Sequence, residues 1–323
     1  LYEQAHLSEV IDLSDLKVFG DATTYPAIII VEHSDAKTPI IILASSNTQT
    51  NDEPEQFAEK GRLPYETLLT NVWAVGEQIT STAPIEALGK VAGRIFVGPQ
   101  TDSDAIFILR GELVGDTVRV FSKATGKWHV LERGAVMPLL QGENVRRYLM
   151  PEPHNWIIFP YRRLEAKVTL LPEEDMARSY PLCFEYLLQN KAVLRGRPRL
   201  SQPATRWYAF GQQKNMALQF SPKICVPRLC TRLGFTFDDK GIYCQDNVDV
   251  CGIALPDESR YSFHYLLGIL NSRLLDHHFQ IISAPFQGGY RSANRQFLEP
   301  LPKRRIDFGN TTDTAMHDGV VAL

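Results

Sequence analysis

No apolar stretch of this 323-residue chain approaches the roughly 20 residues that a membrane helix needs. The longest, residues 27–31 and 39–44, have strand length, so no membrane partner is expected. Cysteine is scarce, at five residues. That odd count, with no secretory leader, points to reduced thiols and a cytoplasmic protein. Cys225, Cys230, Cys244 and Cys251 sit beside strand-like sequence, which favours buried small hydrophobes over a zinc knuckle. The first residue is Leu rather than Met, and the chain reads as a piece of a longer protein. One further absence is local. Residues 191–232 contain no Asp or Glu, although the chain has 37 of them.

What fills that acid-free segment is positive charge. Nine of the chain's 34 basic residues lie there: Lys191, Arg195, Arg197, Arg199, Arg206, Lys214, Lys223, Arg228 and Arg232. Trp207, Tyr208, Phe210 and Phe220 are interleaved with them. The net charge of the whole chain is −3. A local concentration of this kind attracts a polyanion whatever the net charge. The bland alternative is a solvated loop whose arginines pair with acids elsewhere.

Residues 9–46 read as strands whose near-continuous apolar runs suggest a sheet covered on both faces. Residues 47–61 are polar and read as a loop. Helical spacing follows over 63–77, and a short helix over 84–90. From Gly93 the pattern is mostly strands: 94–97, 105–109, 117–122, 128–132, 156–160, 223–230 and 241–251. Helices are expected at 180–194 and, most clearly, at 261–281. The polar tail from Gly309 reads as frayed.

The order of short motifs is more specific than any one of them. Gly98-Pro99-Gln100-Thr101-Asp102 precedes Pro138-Leu139-Leu140-Gln141-Gly142-Glu143-Asn144-Val145-Arg146-Arg147-Tyr148. Then come Ile158-Phe159-Pro160-Tyr161, Trp207-Tyr208-Ala209-Phe210 and Pro222-Lys223-Ile224. Leu270-Asn271-Ser272-Arg273, Gly288-Gly289-Tyr290-Arg291 and Phe297-Leu298-Glu299-Pro300-Leu301-Pro302 close the series. The series resembles the C-terminal target-recognition domain of adenine-specific DNA methyltransferases, above all those of type IIG restriction–modification enzymes.

The resemblance implies an α+β fold: a mixed or antiparallel sheet domain with helices over 85–308, preceded by the final strands of an α/β methyltransferase domain over 1–46. Residues 47–84 would be a linker and helix, and 309–323 a tail. It implies a bacterial or archaeal, nucleoid-associated protein whose partners are double-stranded DNA and an upstream methyltransferase domain. It also implies that Phe19, in a hairpin over 15–31, matches the residue that stacks on a flipped adenine, a base that must leave the helix before its N6 is methylated. The alternative for Phe19 is a plain core position. The family's catalytic Asn/Asp-Pro-Pro-Tyr/Phe does not occur, nor does a glycine-rich turn suited to S-adenosylmethionine. No cofactor is therefore expected on this chain, and it is not expected to be catalytic alone. S-adenosylmethionine, and Mg²⁺ if DNA is cleaved, would belong to the parent protein.

Within that reading the candidate DNA contacts fall into two groups. Arg195, Arg197, Arg199, Arg206, Lys214, Lys223 and Arg228 supply phosphate contacts, the first three sharing a face if the chain is extended. Tyr290, Arg291, Asn294, Arg295 and Gln296, after the Gly288-Gly289 turn, supply donors and acceptors for base edges. Arg146, Arg147, Arg162 and Arg163 are as well explained by ion pairs. Two other functions stay open: a protein-interaction module docking an acidic partner, and a self-contained Mg²⁺-dependent nuclease using Glu152, Glu165 and Lys167. His277 and His278, about 100° apart on a helix, do not form a natural metal pair.

Overall fold

The computed structural model describes residues 6–13, 27–32, 38–45, 57–65, 84–165, 167–198, 200 and 205–323. A four-stranded mixed sheet comes first. Its strands are β1 (His6–Asp12), β2 (Ala27–Glu32), β3 (Ile40–Ser45) and β4 (Phe57–Leu63), in the order β2-β1-β3-β4. β1 and β3 are parallel, and the other pairs antiparallel. Ile40, Ile42 and Leu63 form its small core with Leu7 and Val10. Two expectations change here. β4 occupies part of the polar stretch read as loop, because pairing with β3 satisfies its backbone. β2 is an edge strand and is exposed along its whole length, not covered on both faces. The helix expected over 63–77 lies largely outside the described residues.

β5 (Ile85–Ala87) then begins a region with two large apolar cores. The helix expected over 84–90 is instead β5 plus a single helical turn, because β5 pairs with β21 (Pro302–Arg304). After β6 (Arg94–Phe96) comes the one-turn helix α1 (Asp104–Phe107). It takes residues 104–107 out of the strand expected over 105–109, because the Thr101 hydroxyl receives the Ser103 amide and bonds Asp104.

The first core backs a six-stranded sheet. β7 (Ile108–Val114), β8 (Thr117–Ser122) and β9 (Lys127–Glu132) form an antiparallel meander. β10 (Val136–Leu140) and β11 (Asn155–Ile158) extend it. Val118, Val120 and Leu131 face inward by strict alternation, leaving Arg119, Phe121, Trp128 and Val130 outside. A hairpin, β12 (Tyr161–Leu164) and β13 (Lys167–Leu170), leads to α2 (Glu173–Ser179), α3 (Pro181–Gln189) and α4 (Lys191–Arg195). Pro181 at the first turn and the Glu132 carboxylate, accepting from the amides of Leu182 (2.8 Å) and Cys183 (3.0 Å), start α3 against β9. The helix expected over 180–194 thus breaks at Asn190.

The second core lies under the antiparallel sheet β16-β14-β18-β6, where β14 is Lys223–Pro227, β16 Thr236–Asp238 and β18 Val250–Ala254. Helices α5 (Phe263–Leu270), α6 (Arg273–Ile282), α7 (Arg295–Leu298) and α8 (Thr311–Val321) cover it. The long helix expected over 261–281 is α5 and α6, parted at Asn271-Ser272. The tail is not frayed: Asn310 caps α8, and Val320 and Val321 pack on the core. The strand β17 (Cys244–Gln245) joins the halves by running parallel to β10, next to a cluster of Leu140, Val145, Cys225, Tyr243 and Val250.

Candidate nucleic-acid interface

All five cysteines are buried thiols. Burial pushes Cys225, Cys230 and Cys244 up to about 12, so they stay protonated at neutral pH. Among the described residues no three His, Cys, Asp or Glu side chains converge as a metal-holding group, and no helix is long and apolar enough to cross a membrane.

The acid-free segment does not form one cationic face. Arg195 is exposed at the end of α4, but Arg197 is only 8% exposed. It donates to the carbonyls of Leu194 (2.9 Å), Thr101 (2.5 Å), Trp207 (2.8 Å) and Ala209 (2.7 Å). Burial lowers its pKa, with Tyr161 and Asp102 opposing. The chain turns after α4 rather than extending, so Arg195 and Arg197 do not share a face, and Arg199 lies outside the described residues. Lys223 is fully buried and pairs with Asp238 at 2.7 Å. Neither Arg197 nor Lys223 reaches a phosphate. Of the aromatics, Trp207, Tyr208 and Phe210 are buried in the first core. Lys191 sits 4.6 Å over the Trp207 ring and 3.6 Å from Glu173. Arg195, Lys214 and Arg232 remain exposed, and Arg206 half-buried, with no ion pair among the described residues.

The second group is better assembled. β15 (Leu229–Cys230), β20 (Tyr290–Ser292) and β19 (Pro285–Phe286) form a small antiparallel sheet. It pairs Cys230 with Arg291 and Phe286 with Tyr290. Gly288 (φ 78°) and Gly289 (φ 75°) make the left-handed turn between the last two strands. Tyr290 is 46% exposed, and Phe286 flanks the same turn. Arg228 donates to Asn294 Oδ1 (2.7 Å) and to the carbonyls of Asn247 and Val248, so these two candidates hold each other and not an open base edge. Arg291 donates to the Ser283 carbonyl (3.0 Å), and Arg295 pairs with Glu299 (2.6 Å). Gln296 is exposed. Tyr290, Gln296 and Arg232 thus remain exposed around this small sheet and the helix that follows it, and the Arg228–Asn294 bond ties the segment before β15 to the one after β20. Arg232 was counted for its charge but not for its position. Its signal is the short strand β15 just before it, which pairs with β20.

The weaker arginines divide. Arg146 binds carbonyls of its own loop, Arg162 lies 3.4 Å from Asp175, and Arg163 donates to the Phe220 carbonyl. Arg147 is exposed beside Gly234, and Tyr148 next to it is exposed at φ 62°. Glu165 (φ 53°) is the turn residue between β12 and β13, a place that needs no catalytic reading. His277 is exposed and His278 half-buried, its pKa lowered by burial and by its neighbour. Phe19 lies outside the described residues.

Comparison with known proteins places this geometry. The chain is 20% identical over 339 aligned residues to the type II restriction enzyme and methyltransferase RM.Eco57I of Escherichia coli, covering 99% of this chain and 34% of that protein. The fold matches the type IIL restriction–modification enzyme MmeI, solved in complex with DNA, with a TM-score of 0.53 at 11% identity, over 99% of this chain and 38% of that one. The chain thus spans about a third of the length of these proteins. Residues 137–302, just over half of the sequence, match the family of TaqI-like C-terminal specificity domains, and the chain belongs to that family.

Proposed function

We propose that this chain binds duplex DNA, selects a short sequence and presents its adenine to the catalytic domain of a methyltransferase or restriction–modification protein. The observation that carries the reading is the β15–β20 pairing. It lays β15, with exposed Arg232 two residues beyond its end, against β20, which starts at exposed Tyr290 after Gly288-Gly289, and exposed Gln296 follows on α7. Cations hold phosphates, and amide and phenol groups read base edges. The specificity-domain family supports this reading. So do the methyltransferase named in RM.Eco57I and the DNA held by MmeI.

The chemistry is assigned elsewhere. The chain lacks the Asn/Asp-Pro-Pro-Tyr/Phe turn and a glycine-rich turn suited to S-adenosylmethionine. That cofactor, and Mg²⁺ for any cleavage, are proposed for the whole protein. Phe19 is proposed as the residue that stacks on the extruded base.

The test is duplex binding by fluorescence anisotropy across a salt series. Arg232→Ala should weaken all duplexes alike and flatten the salt slope by about one. Tyr290→Ala and Gln296→Ala should lower the preference for the selected sequence. Arg197→Lys, buried in the fold, should leave the slope unchanged. Duplex affinity indifferent to Arg232 and Tyr290 would refute the assignment.

A further inference from the structure

The outward face of β7, β8 and β9 belongs to neither candidate group above. Alternation along the strands puts Arg110, Arg119, Phe121 and Trp128 on that one face. Phe121 stands opposite both Arg110 and Trp128 in register. The Phe121 and Trp128 rings meet edge to face at 5.6 Å, and the Arg119 guanidinium lies 4.6 Å over Trp128. Beside them is an open hollow of about 570 Å³ whose lining includes Arg110, Lys123, His154 and the two rings. Glu112 is the one carboxylate in that lining, and it lies 3.8 Å from Arg119. Arg110 and Lys123 are exposed and carry no ion pair among the described residues. The Gly111 amide donates to the His154 carbonyl (2.9 Å), which fixes the hollow's edge to the sheet.

We propose that this face is a second nucleic-acid contact, which takes an unpaired stretch of DNA by stacking its bases on Phe121 and Trp128 and neutralising its phosphates with Arg110 and Lys123. Two features select that occupant. An aromatic ring offers its face only to a base already out of the helical stack, so a paired duplex leaves the two rings unused. Protein-interface cores are depleted in lysine and rarely keep uncompensated cations, whereas this hollow has a cationic rim with its single acid already engaged. The choice of DNA over RNA rests on the duplex reading above. The placement on a separate sheet does not.

The experiment titrates the full chain with a short single-stranded oligothymidylate and, separately, with a duplex. Trp156 and Trp207 are 1% and 0% exposed against 54% for Trp128, so the part of the tryptophan quenching that Trp128→Ala removes reports this face. The single strand should quench Trp128, and Trp128→Ala should weaken its binding on the order of tenfold. Trp128→Phe should restore most of the affinity, and Lys123→Ala should lower the salt slope. Duplex binding should survive Trp128→Ala and weaken with Arg232→Ala. Unaltered melting curves keep these variants interpretable, since Trp128 lies outside the core. Single-strand affinity unchanged in Trp128→Ala, or Trp128 quenched only by a protein such as the catalytic domain, overturns the proposal. Loss of duplex binding with single-strand binding intact overturns the duplex reading alone.

Discussion

The guanidinium of Arg197 donates to four carbonyl oxygens and sits 5.5 Å from the centre of the Phe107 ring. Removing it orphans carbonyls from three separate segments at once. Arg197→Ala should therefore cost about 3 kcal/mol or more in denaturant unfolding, while Arg195→Ala, on the surface, should cost little. A second residue sets a pH response. Burial, then Asp246 and Glu143, raises Asp249 to about 6, and its buried Oδ1 has no hydrogen-bond partner among the described residues. A carboxyl whose folded pKa lies above its unfolded one binds protons more tightly when folded, so its contribution falls as pH rises from about 4 to about 6 and stays lost above. Asp249→Asn should raise the melting temperature at pH 7.5 and change it little at pH 4; equal shifts at both would contradict this. At this scale the sequence was a poor guide. Composition showed how many cations the 191–232 segment holds, but Arg197, Lys223 and Arg228 each found oxygens contributed by residues far along the chain. No local pattern encodes that.

Element boundaries misled for a related reason. Residues 261–281 carry an unbroken apolar spacing, yet the helix parts at Asn271. Its side chain acts as a strand segment would: Oδ1 accepts from the Phe235 amide (2.8 Å) and Nδ2 donates to the Phe235 carbonyl (3.0 Å). Ser272 then caps α6 by accepting from the Leu275 amide (3.2 Å). Asn271→Leu satisfies the helical pattern better and should still destabilise the protein by about 1–3 kcal/mol, because the Phe235 amide loses its partner and the Phe235 carbonyl keeps only the Tyr148 amide. A gain in thermal stability would mean that the break is incidental. β8 and β9 were legible almost to the residue, since the turns around them carry Gly115 (φ 58°) and Gly126 (φ 66°) and their alternation is strict, whereas β7 shares only Ile108 and Leu109 with the strand expected over 105–109. The glycine hairpin at 288–289 was legible as a turn. Its pairing with β15, which gives the site its edge, joins residues some 60 positions apart and was not.

On the scale of the whole molecule, the exposed cations fall on both cores: Arg195 leaves α4 on the first and Arg232 follows β15 on the second. A duplex held by both requires the halves to be fixed to each other. Part of the fixing runs through residues 244–246, beside the Tyr148 amide's bond to the Phe235 carbonyl (2.9 Å). β17 adds to β10 in parallel, Gln219 Oε1 accepts the Gln245 amide (2.9 Å), and the Asp246 amide donates to the Leu140 carbonyl (2.9 Å). Gly98 lies flat against this seam: a Cβ there would stand 1.8 Å from the Gln245 carbonyl oxygen, with backbone on both sides and no side chain to yield. Gly98→Ala should therefore push β17 off β10 while leaving the two cores, which Gly98 does not enter, intact. Calorimetry should then resolve one cooperative unfolding transition into two, the pattern of domains that have lost their common interface. Duplex affinity should fall with it, although no cation has been removed, and single-strand binding at Trp128, seated on one sheet, should persist. One sharp transition at unchanged temperature would show that the seam tolerates the methyl group and that the halves are held together some other way.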